Sequence, residues 1–181
     1  SKVTPVTAAV DILDAIPSYD APADGRLSEA AVAAYRQAGV LVLRDFVSSD
    51  SCRGLQQRAN ELVAEFDPAD VRSVFSTTKQ TQLDDSYFID SGDKIRFFLE
   101  DDAFDESGAL RQAKEHSLNK MGHAMHDLVP EFGEFCRLPE IREVLRAIGY
   151  PEAWLWQTMY IFKQPGIGGE VRWHQDASYL I

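Results

Sequence analysis

Cysteine is scarce in this sequence: 181 residues carry only Cys52 and Cys136, with no C-x-x-C spacing and no cysteine-rich frame. That argues against a disulfide scaffold and suits a reducing, cytoplasmic compartment. Long apolar runs are missing too. No stretch approaches the about 18 uninterrupted apolar residues of a membrane span, and Ser1-Lys2-Val3-Thr4-Pro5 opens no signal sequence. Basic charge is in short supply, with 18 Lys and Arg against 29 Asp and Glu and a formal net charge of −11. Nucleic acid and anionic membrane are therefore poor partners on electrostatic grounds. The sequence holds no G-x-G-x-x-G, no G-x-x-x-x-G-K-[ST], no nucleophile-elbow pattern and no internal repeat. Nucleotide cradling, serine or cysteine nucleophilic catalysis and solenoid folds lose their usual signatures.

What is present suits one globular domain, because 45% of the residues are hydrophobic and 26% charged. Residues 1–26, broken by Pro17, Pro22 and Gly25, read as an irregular arm. Ser28 is placed to cap a helix over Glu29 to Ala38 that Gly39 ends. Val40 to Leu43 reads as a short buried strand. Leu55, Ala59, Leu62, Val63 and Phe66 then mark one face of a helix stopped by Asp67-Pro68. Residues 68–92 read as loop with short pieces of structure, and Lys94 to Glu100 as a strand. Leu118, Met121, Met125 and Leu128 suggest a helix over about Lys114 to Leu128. On that reading His116, Lys120 and His123 line the opposite helix face. Another helix runs from Pro139 to Ile148, with Pro139 in its first turn and Gly149 at its end. Ala153 to Lys163 alternates and is aromatic-rich, which predicts a strand. The turn Gln164 to Gly169 follows, and then a further strand from Glu170.

The residues that draw attention chemically are His174 and Asp176. Two apart in an extended stretch, their side chains leave one face, with Cα atoms roughly 6.7 Å apart. An imidazole and a carboxylate so placed can occupy two corners of the 2-His-1-carboxylate face that holds Fe(II) with open positions opposite. The plainer reading is a surface histidine beside a solvated acid. Gly166, Gly168 and Gly169 just upstream permit a tight approach of backbone or ligand. In the preceding strand Gln157, Met159, Ile161 and Lys163 share a face whose mixed chemistry suits a pocket wall, although a methionine in a strand commonly just packs. His116, Lys120 and His123 are either a polar wall around an anion or a solvated face. His123 with His126 is a weaker metal pair.

Several segments in fixed order carry a family resemblance: Ser91-Gly92-Asp93-Lys94-Ile95-Arg96-Phe97-Phe98, Ser117-Leu118-Asn119-Lys120-Met121-Gly122-His123-Ala124, Met159-Tyr160-Ile161-Phe162-Lys163-Gln164-Pro165, Gly168-Gly169-Glu170-Val171 and His174-Gln175-Asp176-Ala177. From about residue 28 to its last residue the chain resembles the phytanoyl-CoA dioxygenase family. The resemblance implies an α+β protein built around a double-stranded β-helix, or jelly-roll, oxygenase core. It also implies Fe(II) as cofactor, with 2-oxoglutarate and dioxygen as co-substrates. Matched by position, His174 and Asp176 are the first two iron ligands, and Lys120 and Met159 line the 2-oxoglutarate pocket, with His116 the fallback for Lys120. Asp176 also favours hydroxylation over halogenation, since related halogenases carry a small residue at that position.

The family's later histidine ligand and its carboxylate-binding arginine lie well beyond the H-x-D segment. The expectation is thus one domain over 1–181: an arm at 1–26, a helical and early-strand region at 27–150, and the start of a jelly-roll core at 151–181 that is incomplete here and inactive alone. The expected partner is a small-molecule substrate, bound by a monomer or weak homo-oligomer. The competing expectations are a non-catalytic binding or regulatory module on the same scaffold, and a cupin-like metalloenzyme.

Overall fold

The computed structural model describes residues 16–68, 73–75, 85–171 and 174. It forms two compact units: residues up to Leu55 together with Glu134–Leu155, and Gln56–Gly133 together with Trp156 onward. The mixture of helices and strands meets the α+β expectation.

The first unit contains β1 (Ser18–Asp20), α1 (Glu29–Ala38), β2 (Val42–Arg44) and α6 (Pro139–Ile148). The Ser28 side chain accepts from the Ala31 N–H at 3.2 Å, so the cap expected from sequence forms. Gly39 and Gly149 end α1 and α6 at φ 75° and 110°, in the left-handed region that glycine enters without a Cβ clash. Within the stretch expected to be an irregular arm, β1 pairs in parallel with β2. Arg44 fastens that pairing, donating to Asp20 Oδ1 from Nε and Nη2 and to Ser18 Oγ from Nη1 at 2.8 Å. A strand this short carries no periodicity a sequence could show. Helix α1 packs on α6, and the backbone of Glu140 comes so close to Gly25 that a Cβ there would lie 2.3 Å from its carbonyl oxygen.

The second unit is organised by a four-stranded sheet of order β3-β4-β5-β6: Val74–Phe75, Ile95–Glu100, Leu118–His123 and Thr158–Ile161. Strands β3 and β4 are parallel, whereas β4–β5 and β5–β6 are antiparallel. The short helix α3 (Ser86–Ile89) precedes β4, while α4 (Met125–Leu128) and α5 (Pro130–Cys136) follow β5. Phe66, just past the end of α2 (Ser49–Glu65), stacks on Phe97 with ring centroids 4.4 Å apart. Phe132 of α5 meets Tyr160 edge-on at 6.2 Å. These contacts cover the sheet face that carries Phe97, Met121 and Tyr160. Phe98, Leu99, Leu118, Met121 and Met125 are fully buried.

The expected helix over Lys114 to Leu128 is replaced by a 3-10 turn (Lys114–His116), strand β5 and the short α4. Strand β5 is central, paired on both edges, so its residues from Lys120 to His123 are buried without alternation and the period-2 signature disappears. Leu128, assigned to the buried stripe of that helix, is 54% exposed. Pairing with β4 and β6 overrides a chance helical spacing. The expected strand over Ala153 to Lys163 shrinks to β6, because β5 offers it only Lys120 to His123 as partners. Glu170, Val171 and His174 lie in irregular chain rather than in a strand; the remainder of that expected strand is outside the described residues.

Candidate functional site

Antiparallel pairing determines which side chains share a sheet face. Phe98 pairs with Lys120, and Lys120 in turn with Ile161; Gly122 pairs with Met159. Lys120 and Met159 are therefore diagonal neighbours on one face of adjacent strands. Gly122 makes room for this, since a Cβ there would sit 3.0 Å from Met159 Cγ and 2.9 Å from the Thr158 carbonyl oxygen. Lys120 is 6% exposed, and its Nζ lies 5.2 Å from the Phe88 ring centroid and 5.7 Å from that of Phe98. An ammonium over two phenyl faces gains some cation–π attraction. It still loses hydration, and burial brings the Lys120 pKa down to about 8.

His123 closes the same corner. Its ring is edge-on to Phe88 at 5.4 Å and tilted against Phe98 at 5.7 Å. Ser91, itself buried, donates its single hydroxyl hydrogen to the Phe88 carbonyl. It must therefore accept at Oγ from the His123 Nδ1–H, 2.7 Å away. The neutral tautomer of His123 consequently keeps its proton on Nδ1 and presents Nε2 as an acceptor. Burial, with the charge of Lys120 adding to it, lowers the His123 pKa to about 4, against the opposing effect of Ser91. At neutral pH, among the described residues, the corner brings a lysine cation and a neutral imidazole against the rings of Phe88 and Phe98.

Two further expected residues, His116 and His126, are engaged by other partners. His116 is exposed in the 3-10 turn, with Nδ1 3.5 Å from Gln164 Oε1, so His116, Lys120 and His123 do not form a common helix face. His126 is buried and engages Thr158: its backbone N–H donates to Thr158 Oγ1 at 3.0 Å, and Nδ1 lies 2.9 Å from the same hydroxyl oxygen. His123 and His126, the weaker metal pair, each place Nδ1 against a different hydroxyl, that of Ser91 and that of Thr158. His174 is exposed and Asp176 is outside the described residues. Among the described residues no group of three or more His, Cys, Asp or Glu is placed to hold a metal ion. Among them also, no helix is long and apolar enough to cross a membrane.

Sequence reasoning missed Glu100, at the end of β4. It is 4% exposed, accepts at Oε2 from Asn119 Nδ2 at 2.9 Å, and lies against Gly168. Burial raises its pKa, opposed by the Asn119 hydrogen bond and the charge of Lys163. As the last residue of the expected Lys94 to Glu100 strand, just before Asp101 and Asp102, it carried no signal of burial.

Residues 35–181 match the family model described as phytanoyl-CoA dioxygenase (PhyH). The chain belongs to the phytanoyl-CoA dioxygenase family. Among its curated relatives, a phytanoyl-CoA dioxygenase of Arabidopsis thaliana is 44% identical over 146 residues, covering 81% of this chain and 51% of that protein. Phytanoyl-CoA dioxygenase domain-containing protein 1 of Mus musculus is 43% identical over 159 residues, covering 85% and 55%. Phytanoyl-CoA dioxygenase 1 of Oryza sativa subsp. japonica is 42% identical over 159 residues, covering 88% and 56%. The chain thus spans about half the length of the curated relatives it matches. Every segment that carried the resemblance downstream of residue 90 falls inside the family match, including the H-x-D triplet.

Proposed function

We propose that the protein is an Fe(II)/2-oxoglutarate-dependent oxygenase that hydroxylates a small organic substrate, with the four-stranded sheet forming part of a jelly-roll core. The observation that carries this reading is that His174-Gln175-Asp176 lies within a family match extending from residue 35 to residue 181. The donor chemistry fits the metal: one neutral imidazole and one carboxylate, two residues apart, suit a six-coordinate Fe(II) that keeps open positions. His174 and Asp176 would hold the ion, and the third protein ligand falls to the part of the relatives' length that this chain does not span. When bound, iron supplies the chemistry that converts 2-oxoglutarate, dioxygen and a C–H bond into succinate, carbon dioxide and an alcohol.

The chain's own residues take the binding roles. Lys120, a buried cation beside Phe88 and Phe98, suits a carboxylate of 2-oxoglutarate, since charge-assisted hydrogen bonds gain strength where water is excluded. Met159, its diagonal neighbour, supplies a polarizable apolar wall. His123, held neutral, adds no second charge beside the anion.

Turnover of 2-oxoglutarate to succinate by the complete protein, with Fe(II) under air, tests the proposal. His174→Ala should abolish it, and iron-dependent turnover unchanged in that variant refutes the ligand assignment. Wild-type protein purified anaerobically that retains no metal by elemental analysis and consumes no 2-oxoglutarate would favour a non-catalytic module. Bound metal without 2-oxoglutarate-dependent oxygen uptake would favour a cupin-like enzyme.

A further inference from the structure

We propose that Glu100 is a positioning residue for the segment that carries His174: its buried carboxylate clasps the glycine turn leading there. The proposal rests on the reading of His174 as a metal ligand.

The clasp is assembled from the ends of β4 and β5. The Glu100 backbone N–H donates to the Ser117 carbonyl at 2.9 Å, which fixes the root of the side chain. Asn119 Nδ2 donates to Glu100 Oε2 at 2.9 Å, which fixes its tip. The carboxylate then faces Gly168, where a Cβ would lie 2.9 Å from Oε1, 3.2 Å from Cδ and 3.3 Å from Oε2. With φ at +107°, Gly168 also sits in a conformation that side chains disfavour. The positive φ disfavours any side chain here, and an added Cβ would also press on the Glu100 carboxylate.

The near end of the turn is tied to the same place. The Phe162 N–H donates to the Asn119 carbonyl at 2.8 Å, and Gln164 Nε2 donates to the Glu115 carbonyl at 2.7 Å. Asn119 therefore bridges the two ends, holding Phe162 through its backbone and Glu100 through its side chain. From Gly168 six residues lead to His174, so a turn that loses its seat releases the ligand's approach.

The choice of residue is itself informative. A carboxylate at 4% exposure loses hydration, and the neighbouring charges of Asp101 and Asp102 add to the disadvantage. An apolar side chain would end this strand at lower cost if packing were its sole task. A residue that breaks the local rule and is held by a dedicated hydrogen bond points to a positional role.

The experiment uses the complete protein and two readouts: Co(II) affinity by titration, cobalt standing in for oxygen-sensitive Fe(II), and amide hydrogen exchange over residues 162–171. Glu100→Gln keeps the length and an acceptor for Asn119, and should bind Co(II) within about threefold of wild type. Glu100→Ala should weaken Co(II) by tenfold or more, in the range seen when partners that orient metal ligands are removed, and should speed exchange across 162–171. Gly168→Ala, which leaves Glu100 and the sheet intact, should show the same two changes and serves if the Glu100→Ala protein does not fold. Ala31→Gly, a destabilising change at a buried position of α1, should leave Co(II) affinity unaltered, which separates positioning from general loss of stability. Co(II) affinity within threefold of wild type in both Glu100→Ala and Gly168→Ala overturns the proposal. If wild-type protein binds no Co(II), the functional reading falls and the metal half of this proposal with it. Exchange still decides the clasp in that case, and unchanged exchange in Glu100→Ala overturns that as well.

Discussion

Replacing His123 by glutamine should remove a specific part of the protein's acid sensitivity. The ring is 5% exposed, wedged against Phe88 and Phe98, with Nδ1 bonded to Ser91. Burial, then the nearby Lys120 charge, holds its pKa at about 4 against 6.5 for an ordinary histidine. The unfolded chain takes up this proton near pH 6.5, whereas the folded protein resists until about pH 4. Between those values the unfolded state binds more protons, so stability falls as pH drops through the window. Each pKa unit corresponds to about 1.4 kcal/mol, which puts the full effect at about 3 kcal/mol, of which about 2 kcal/mol falls between pH 7 and pH 4.5. Carboxylates contribute their own slope, but they do so in wild type and variant alike. The assay is therefore denaturant unfolding of wild type and His123→Gln at both pH values, taking the difference of the two losses. Glutamine can still donate to Ser91 Oγ, so the comparison isolates the titrating ring. Losses that agree within about 0.5 kcal/mol would refute the burial argument, because a ring that costs nothing to protonate is not desolvated.

Three further outcomes follow from the same packing. Phe98→Ala should destabilise the protein by about 3–5 kcal/mol in equilibrium unfolding, since Phe98 is fully buried and its ring meets Tyr87, Phe88 and His123; Phe98→Leu should cost clearly less. Gly25→Ala should lower stability by more than about 1 kcal/mol, because a Cβ meets the Glu140 backbone and the residue sits at φ +73°; a thermal midpoint equal to wild type would contradict that close approach. If Lys120 receives a carboxylate of 2-oxoglutarate, its charge is present below about pH 8 and lost above it. Affinity measured calorimetrically should then fall about tenfold from pH 7 to pH 9 by simple proton linkage, and Lys120→Met should be weak and flat across that range.

The sequence by itself determined the features that depend on neighbours along the chain. Ser28 and Gly39 bracket α1, Pro139 and Gly149 bracket α6, and the apolar spacing from Leu55 to Phe66 marks α2, because caps and helix faces are set within a few residues. The family membership was legible for a related reason: words in fixed order survive as words whatever the fold does with them. Lys120 and Met159 could likewise be picked out as residues before their meeting place was known. The tertiary structure decided what those residues do together. Lys114 to Leu128 carries a helical spacing, yet Leu118–His123 becomes a central strand, since hydrogen bonds to β4 and β6 outweigh a weak local preference. Only that pairing buries Lys120 and His123 on the Phe88 and Phe98 rings, and only the sheet register sets Met159 beside them. Glu100 shows the same division most clearly. In the sequence it is one acid in an acidic run; in the fold it is removed from water and held between Asn119 and Gly168.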